Sequence, residues 1–145
     1  MKNILLVVLL SSIALGCLSC GPSEPEIKIG ETWGRISPKS AANAAFYMEI
    51  QNYGNAADRL IGAESSGCGK TQIHETRIDE QGVASMQHIE EIDIPASSTI
   101  MFEIGGLHVM CLDKQREFVA GNRIPVTLVF QKSGEIIIEA EIREE

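Results

Sequence analysis

From residue 27 onward, apolar side chains recur at every second position and scarcely ever with helical spacing. Val126, Leu128 and Phe130 share one parity, Lys132-Ser133-Gly134 interrupts them, and Ile136, Ile138, Ala140 and Ile142 resume against Glu139, Glu141 and Arg143. Alternate residues of a strand face opposite sides, so each run is a strand with one buried face. A glycine-containing break between two such runs signals a hairpin. Phe46, Met48 and Ile50 alternate in the same way with Tyr47, Glu49 and Gln51, before a turn at Asn52-Tyr53-Gly54-Asn55. Further runs lie at 60–63, 71–76, 83–89, 99–104 and 107–112, separated by Asp79-Glu80-Gln81-Gly82, Pro95-Ala96-Ser97-Ser98 and Gly105-Gly106. Residues 37–45 are small and polar, as in a loop. Eight or nine short strands at even spacing predict an all-β fold, an antiparallel Greek-key β-sandwich.

The segment before this region has a different character. Met1-Lys2-Asn3 is a short positive start, Ile4 to Leu10 is unbroken aliphatic, and residues 11–16 are small and apolar. This is the layout of a secretory signal peptide, too short for a comfortable membrane span. No second long apolar run follows, which excludes a polytopic membrane protein. A Cys after a small residue at the end of such a segment resembles a bacterial lipobox, in which the Cys is lipidated and becomes the new N-terminus. Cys17, preceded by Gly16, is the preferred position; Cys20 is the alternative, and cleavage without lipidation is a third outcome. The expected organisation is a signal peptide over 1–16, a tether over 17–26 and one domain over 27–145. At roughly 120 residues the domain can bury a real core. The expected location is outside the cytoplasm, periplasmic or at the outer cell surface, with a lipid anchor to a membrane.

Charge and motifs narrow the function. Lys and Arg number 12 against 20 Asp and Glu, a net charge of −8. With no basic cluster to meet phosphates, nucleic acid is not an expected partner. There is no G-x-S-x-G elbow, no glycine-rich phosphate loop and no H-E-x-x-H helix, so an enzyme is not expected. The domain has two cysteines, Cys68 and Cys111. Export permits a disulfide between them, which is favoured, while two separate buried thiols remain the other reading.

Four residues stand out chemically: His74, Met86, His108 and Met110. His108 and Met110 are two apart on one run and project to one side. His74 and Met86 flank the turn at 79–82, on two strands that could be neighbours. Imidazole with thioether is a soft, uncharged donor set suited to Cu(I), whereas zinc sites use Cys, His and carboxylate and calcium takes oxygen. Taken singly, a Met in a strand is core filler more often than a ligand. Met48 and Met101 read that way from their apolar neighbours, and His88, on the parity of Met86 and so near the site, reads as a surface residue, with auxiliary ligation as the lesser alternative. Trp33 reads as a core aromatic, or as a shield beside a metal.

The spacing resembles that of the periplasmic copper chaperone family PCu(A)C. The family motif runs His, Met twelve residues later, then His-x-Met twenty-two further on, and His74, Met86, His108 and Met110 keep both intervals. The accompanying segments Trp33-Gly34-Arg35, Ala44-Ala45-Phe46-Tyr47-Met48, Asp58-Arg59-Leu60, His74-Glu75-Thr76 and Gly105-Gly106-Leu107-His108-Val109-Met110 are similar as well, over about residues 27–143. Glu75 stands where some members have Met and is not counted as a ligand. Cys111 follows Met110 and faces the other side of its strand, which favours a disulfide or core thiol over a fifth ligand.

The resemblance implies a cupredoxin-like sandwich that binds one Cu(I) and passes it to a copper acceptor. That acceptor would be the copper centre of cytochrome c oxidase or a thioredoxin-like assembly factor. A monomer is the default for a small tethered carrier. The competing readings are a copper-sequestering tolerance protein and an exported scaffold or adhesion sandwich that does not use the motif. A blue electron-transfer cupredoxin is disfavoured, since it needs a Cys thiolate beside two His.

Overall fold

The structure, a computed structural model, describes residues 23–144. The expected signal peptide, Cys17, Cys20 and the expected tether up to residue 22 lie outside the described residues. Ten strands follow one another: β1 (Ile27–Arg35), β2 (Ala44–Asn52), β3 (Asp58–Glu64), β4 (Cys68–Ile78), β5 (Ala84–Ile89), β6 (Ile92–Ile94), β7 (Ser98–Phe102), β8 (Leu107–Lys114), β9 (Arg123–Phe130) and β10 (Gly134–Arg143). No helix occurs among the described residues. Each run expected from the alternation coincides with a strand, except that Val83, Glu103 and Ile104 fall outside β5 and β7 in the flanking turns; β1 and β6 are additional.

Hydrogen bonds join the strands in the order β5-β4-β8-β7-β2-β1-β10-β9-β3-β6, with β8 also pairing with β2. Ile73 of β4, near one end of this ladder, shares a buried cluster with Leu60 of β3 and Ile94 of β6 at the other. The ladder therefore folds over on itself, and Phe46, Val109, Val126, Leu128 and Ile142 fill the space between its halves. Such interior packing is the main source of the fold's stability. Pairing is antiparallel except at β1–β10 and at the single β7–β8 contact, which are parallel.

The β9–β10 hairpin follows the alternation closely. Ile124, Val126, Leu128 and Phe130 are buried, as are Ala140 and Ile142 opposite, while Ile137 on the other parity is exposed. The buried Asp58 carboxylate holds the turn, accepting hydrogen bonds from the backbone N–H groups of Lys132 and Ser133. Met48 is buried, as expected, but Met101 is not: it is 49% exposed. On β7 the inward parity belongs to Ile100 and Phe102, so Met101 is turned outward despite its apolar neighbours.

Candidate metal centre

Strands β4, β5 and β8 build the site. The β4–β5 hairpin closes over Asp79-Glu80-Gln81-Gly82, as the sequence suggests. Asp79 Oδ1 accepts from the N–H groups of Gln81 and Val83, and Gly82 takes a φ of 80°, a conformation natural only to glycine. A second turn feeds β8: Gly105 has a φ of 82°, and the N–H of Gly106 donates to the Glu103 carbonyl. These turns fix the register of the three strands, and register decides which side chains meet.

In that register His74 lies directly opposite His108 on one side and His88 on the other. Thr76 is paired with Met86, and Gln72 with Met110. Paired residues and their i±2 neighbours share a face. All four motif residues, with His88, therefore stand on the outer face of one sheet, opposite the face where Ile73, Val109 and Cys111 enter the core. The ring centres are 5.8 Å apart for His74 and His108, and 5.9 Å for His74 and His88. Met86, His108 and Met110 line one cavity of about 320 Å³, together with Tyr47, Thr76 and Arg35. The site lies on a sheet face next to the free edge strand β5.

The two motif imidazoles are oriented but not satisfied. His108 is buried, and its Nδ1 lies 3.2 Å from the Gly106 carbonyl, which can only accept. That fixes Nδ1 as the protonated nitrogen and leaves the lone pair on Nε2, which is buried without a partner. His74 is the mirror case. Its Nε2 faces Gln72 Oε1 at 3.4 Å, and its buried Nδ1 has no partner. Buried polar atoms are nearly always paired, so two unpaired ring nitrogens on neighbouring strands call for an electron-pair acceptor. Burial first, then the nearby His108 and His88, lowers the pKa of His74 from its ordinary 6.5 and keeps its lone pair available.

Among the described residues, no group of three or more His, Cys, Asp or Glu side chains is placed to hold a metal ion. A metal here would depend on the thioethers. Cys111 supplies no thiolate: it is joined to Cys68 in a disulfide with Cα atoms 5.4 Å apart. That bond ties the start of β4 to β8 on the core side of the site. Glu75 pairs with Arg77 at 2.7 Å, away from the histidines. Trp33 is half-buried rather than a core residue. Its ring lies 4.6 Å from that of Tyr47, which in turn lies 6.3 Å from His108.

Residues 27–142 match the family model described as "Putative lipoprotein LpqE-like". A relative named "Putative lipoprotein Lxx21020", from Leifsonia xyli subsp. xyli (strain CTCB07), is 29% identical over 111 residues, 76% of this chain and 65% of the relative. The chain thus spans less than two thirds of that relative's length. Among solved structures, the copper-bound PCuAC domain from PmoF2 is 29% identical with a TM-score of 0.69, over 82% of this chain and 93% of that one. The apo PmoF2 PCuAC domain is 31% identical with a TM-score of 0.67, over 81% and 90%.

Proposed function

The chain belongs to the LpqE-like family, its domain is of the PCuAC kind, and from that premise we propose that it is a copper chaperone, not an enzyme. It binds one Cu(I) through His74, Met86, His108 and Met110. The observation that carries this is the pair of buried, partnerless nitrogens, Nδ1 of His74 and Nε2 of His108, on a face shared with two thioethers. Two neutral imidazoles and two thioethers match the preference of a d¹⁰ ion for soft donors. They add no charge, so nothing electrostatic locks the ion in place. Met86 is 59% exposed, and an incoming ligand can displace it first. That supports handover rather than storage. The acceptor is the copper centre of cytochrome c oxidase or a thioredoxin-like assembly factor. The chain acts outside the cytoplasm as a monomer, tethered by lipid on Cys17, or on Cys20.

Titration with Cu(I) against a chromophoric chelator tests the site, using the chain from residue 24 onward. One tightly held copper, weakened in Met86→Ala and His108→Ala, is expected. No competition with the chelator, or binding unchanged from wild type in both variants, would sink the reading. Transfer to a copper-free oxidase fragment then separates delivery from storage.

A further inference from the structure

We propose that His88 and His74 form a second copper station, selective for Cu(II), at the solvent edge of the same sheet. His88 belongs to no part of the four-residue motif, yet the register sets it directly opposite His74 on β5. Directly opposed residues of an antiparallel pair hold their side chains side by side. An ion bound at about 2 Å to one nitrogen of each ring sets the two ring centres about 4.5 Å apart when the bonds are at right angles and about 6.3 Å apart when they are in line. The observed separation, 5.9 Å, lies within that range. His74 offers a buried nitrogen with no hydrogen-bond partner in the protein.

The surroundings select the oxidation state. Met110 sits on β8, two strands away from His88, and Met86, though two residues from His88 on β5, is opposite Thr76 rather than His74; β5 is the free edge of the sheet, where water can fill the remaining positions. Imidazole nitrogen with water oxygen in a tetragonal arrangement suits Cu(II), while the thioether-bearing side suits Cu(I). A neutral imidazole has one lone pair. His74 can therefore serve one station at a time, and the two oxidation states compete for the chain. That competition, though not the pair itself, rests on the copper(I) reading above.

The test is a Cu(II) titration of the chain from residue 24 onward, followed by electron paramagnetic resonance. Wild type should bind one Cu(II) with hyperfine structure from two nitrogens. In His88→Ala one nitrogen should vanish and the affinity fall by about tenfold or more, while Cu(I) affinity stays within about twofold, since His88 supplies none of the four Cu(I) ligands. His88 is exposed on an edge strand, and circular dichroism checks that the variant folds. An unchanged Cu(II) spectrum in His88→Ala overturns the proposal, as does a wild-type spectrum without nitrogen coupling. Preloading with Ag(I), a d¹⁰ ion that keeps its oxidation state, should suppress the Cu(II) signal; an undiminished signal beside bound silver overturns the shared ligand. If silver does not bind at all, the copper(I) reading falls, and the His88→Ala spectrum still decides the pair.

Discussion

The two halves of the metal centre are built differently. The inner half, His74, His108 and Met110, stands on the β4–β8 ladder, which is paired from Cys68 to Glu75 and bolted beneath by the Cys68–Cys111 disulfide. The outer half, Met86 with His88, stands on an edge strand that is exposed along nearly its whole length. An inner half held by strand pairing on both sides and a disulfide favours capture, because the cost of ordering its ligands is met when the chain folds. An exposed edge strand with few buried contacts favours release, because such segments lie at the low end of local stability. A carrier needs both, and here they occupy adjacent strands.

The largest expected effect breaks the inner half. The disulfide closes a loop of 43 residues' separation, for which cross-linking is worth about 4 kcal/mol. Cys68→Ser with Cys111→Ala should lower the unfolding free energy of the metal-free chain by about that amount in urea, whereas Met86→Ala should change it by less than about 0.5 kcal/mol. Equal losses would abolish the distinction between the halves.

Copper affinity should divide along the same line. His108 is buried, and the Gly106 carbonyl fixes its tautomer; loss of an orienting partner alone costs about 10- to 100-fold in metal affinity. His108→Ala, which removes the ligand itself, should exceed about 100-fold. Met86→Ala should cost less in affinity and show mainly as faster transfer to a chelator in stopped flow. The reverse order would make the edge strand the anchor.

A third effect is smaller and depends on pH. His74 titrates below 6.5 in the folded chain, chiefly because it is buried and next because His108 and His88 are close. Between that lowered value and 6.5 the unfolded chain binds more protons than the folded one, so stability rises with pH across the window. The contribution is complete above 6.5 and is lost as acid passes the folded value. The unfolding midpoint of the metal-free chain should decline on acidification from about pH 7.5 to about pH 5.5, and decline less in His74→Gln. Asp58 acts lower. Burial pushes its carboxyl up, but hydrogen bonds from Ser133, Arg59 and Lys132 outweigh that and hold it below 3.8. Its share persists above 3.8 and disappears as pH falls through the lowered value, so a slope near pH 6 belongs to the histidine.

All four motif residues, Met86 of the outer half included, were legible in the sequence, but the place of His88 was not. His108 and Met110 share a face because they are two apart, and the turn at 79–82 announced β4 and β5. That His88 stands opposite His74 depends on the register across that turn, which parity alone does not give. β1 escaped notice because its pairing with β2 slips between Ile29 and Thr32, and the slip breaks the alternation that marks the other strands. Met101 was misplaced because composition was read where parity decided. The unpaired nitrogens of His74 and His108 exist only once the tautomers are fixed by Gln72 and Gly106, contacts that no spacing displays.

The smallest effect sharpens the comparison optically. The chain has a single Trp, and Tyr47 stands between Trp33 and the site: the Trp33 and Tyr47 rings are 4.6 Å apart, and Tyr47 lies 6.3 Å from His108. The Arg143 guanidinium also lies 4.7 Å from the Trp33 ring, a cation–π contact that helps hold the indole in place. This path runs from the inner half, not from β5. Silver bound at His108 should change Trp33 emission slightly, in proportion to loading and saturating at one equivalent. Tyr47→Leu should weaken the change by removing the intermediate ring. His88→Ala should leave it intact, since His88 lies beyond His74 on the far side of the row. Emission that responds equally to His88→Ala and Tyr47→Leu would mean that the two halves move as one, and an edge strand coupled that tightly could not serve as the releasing side.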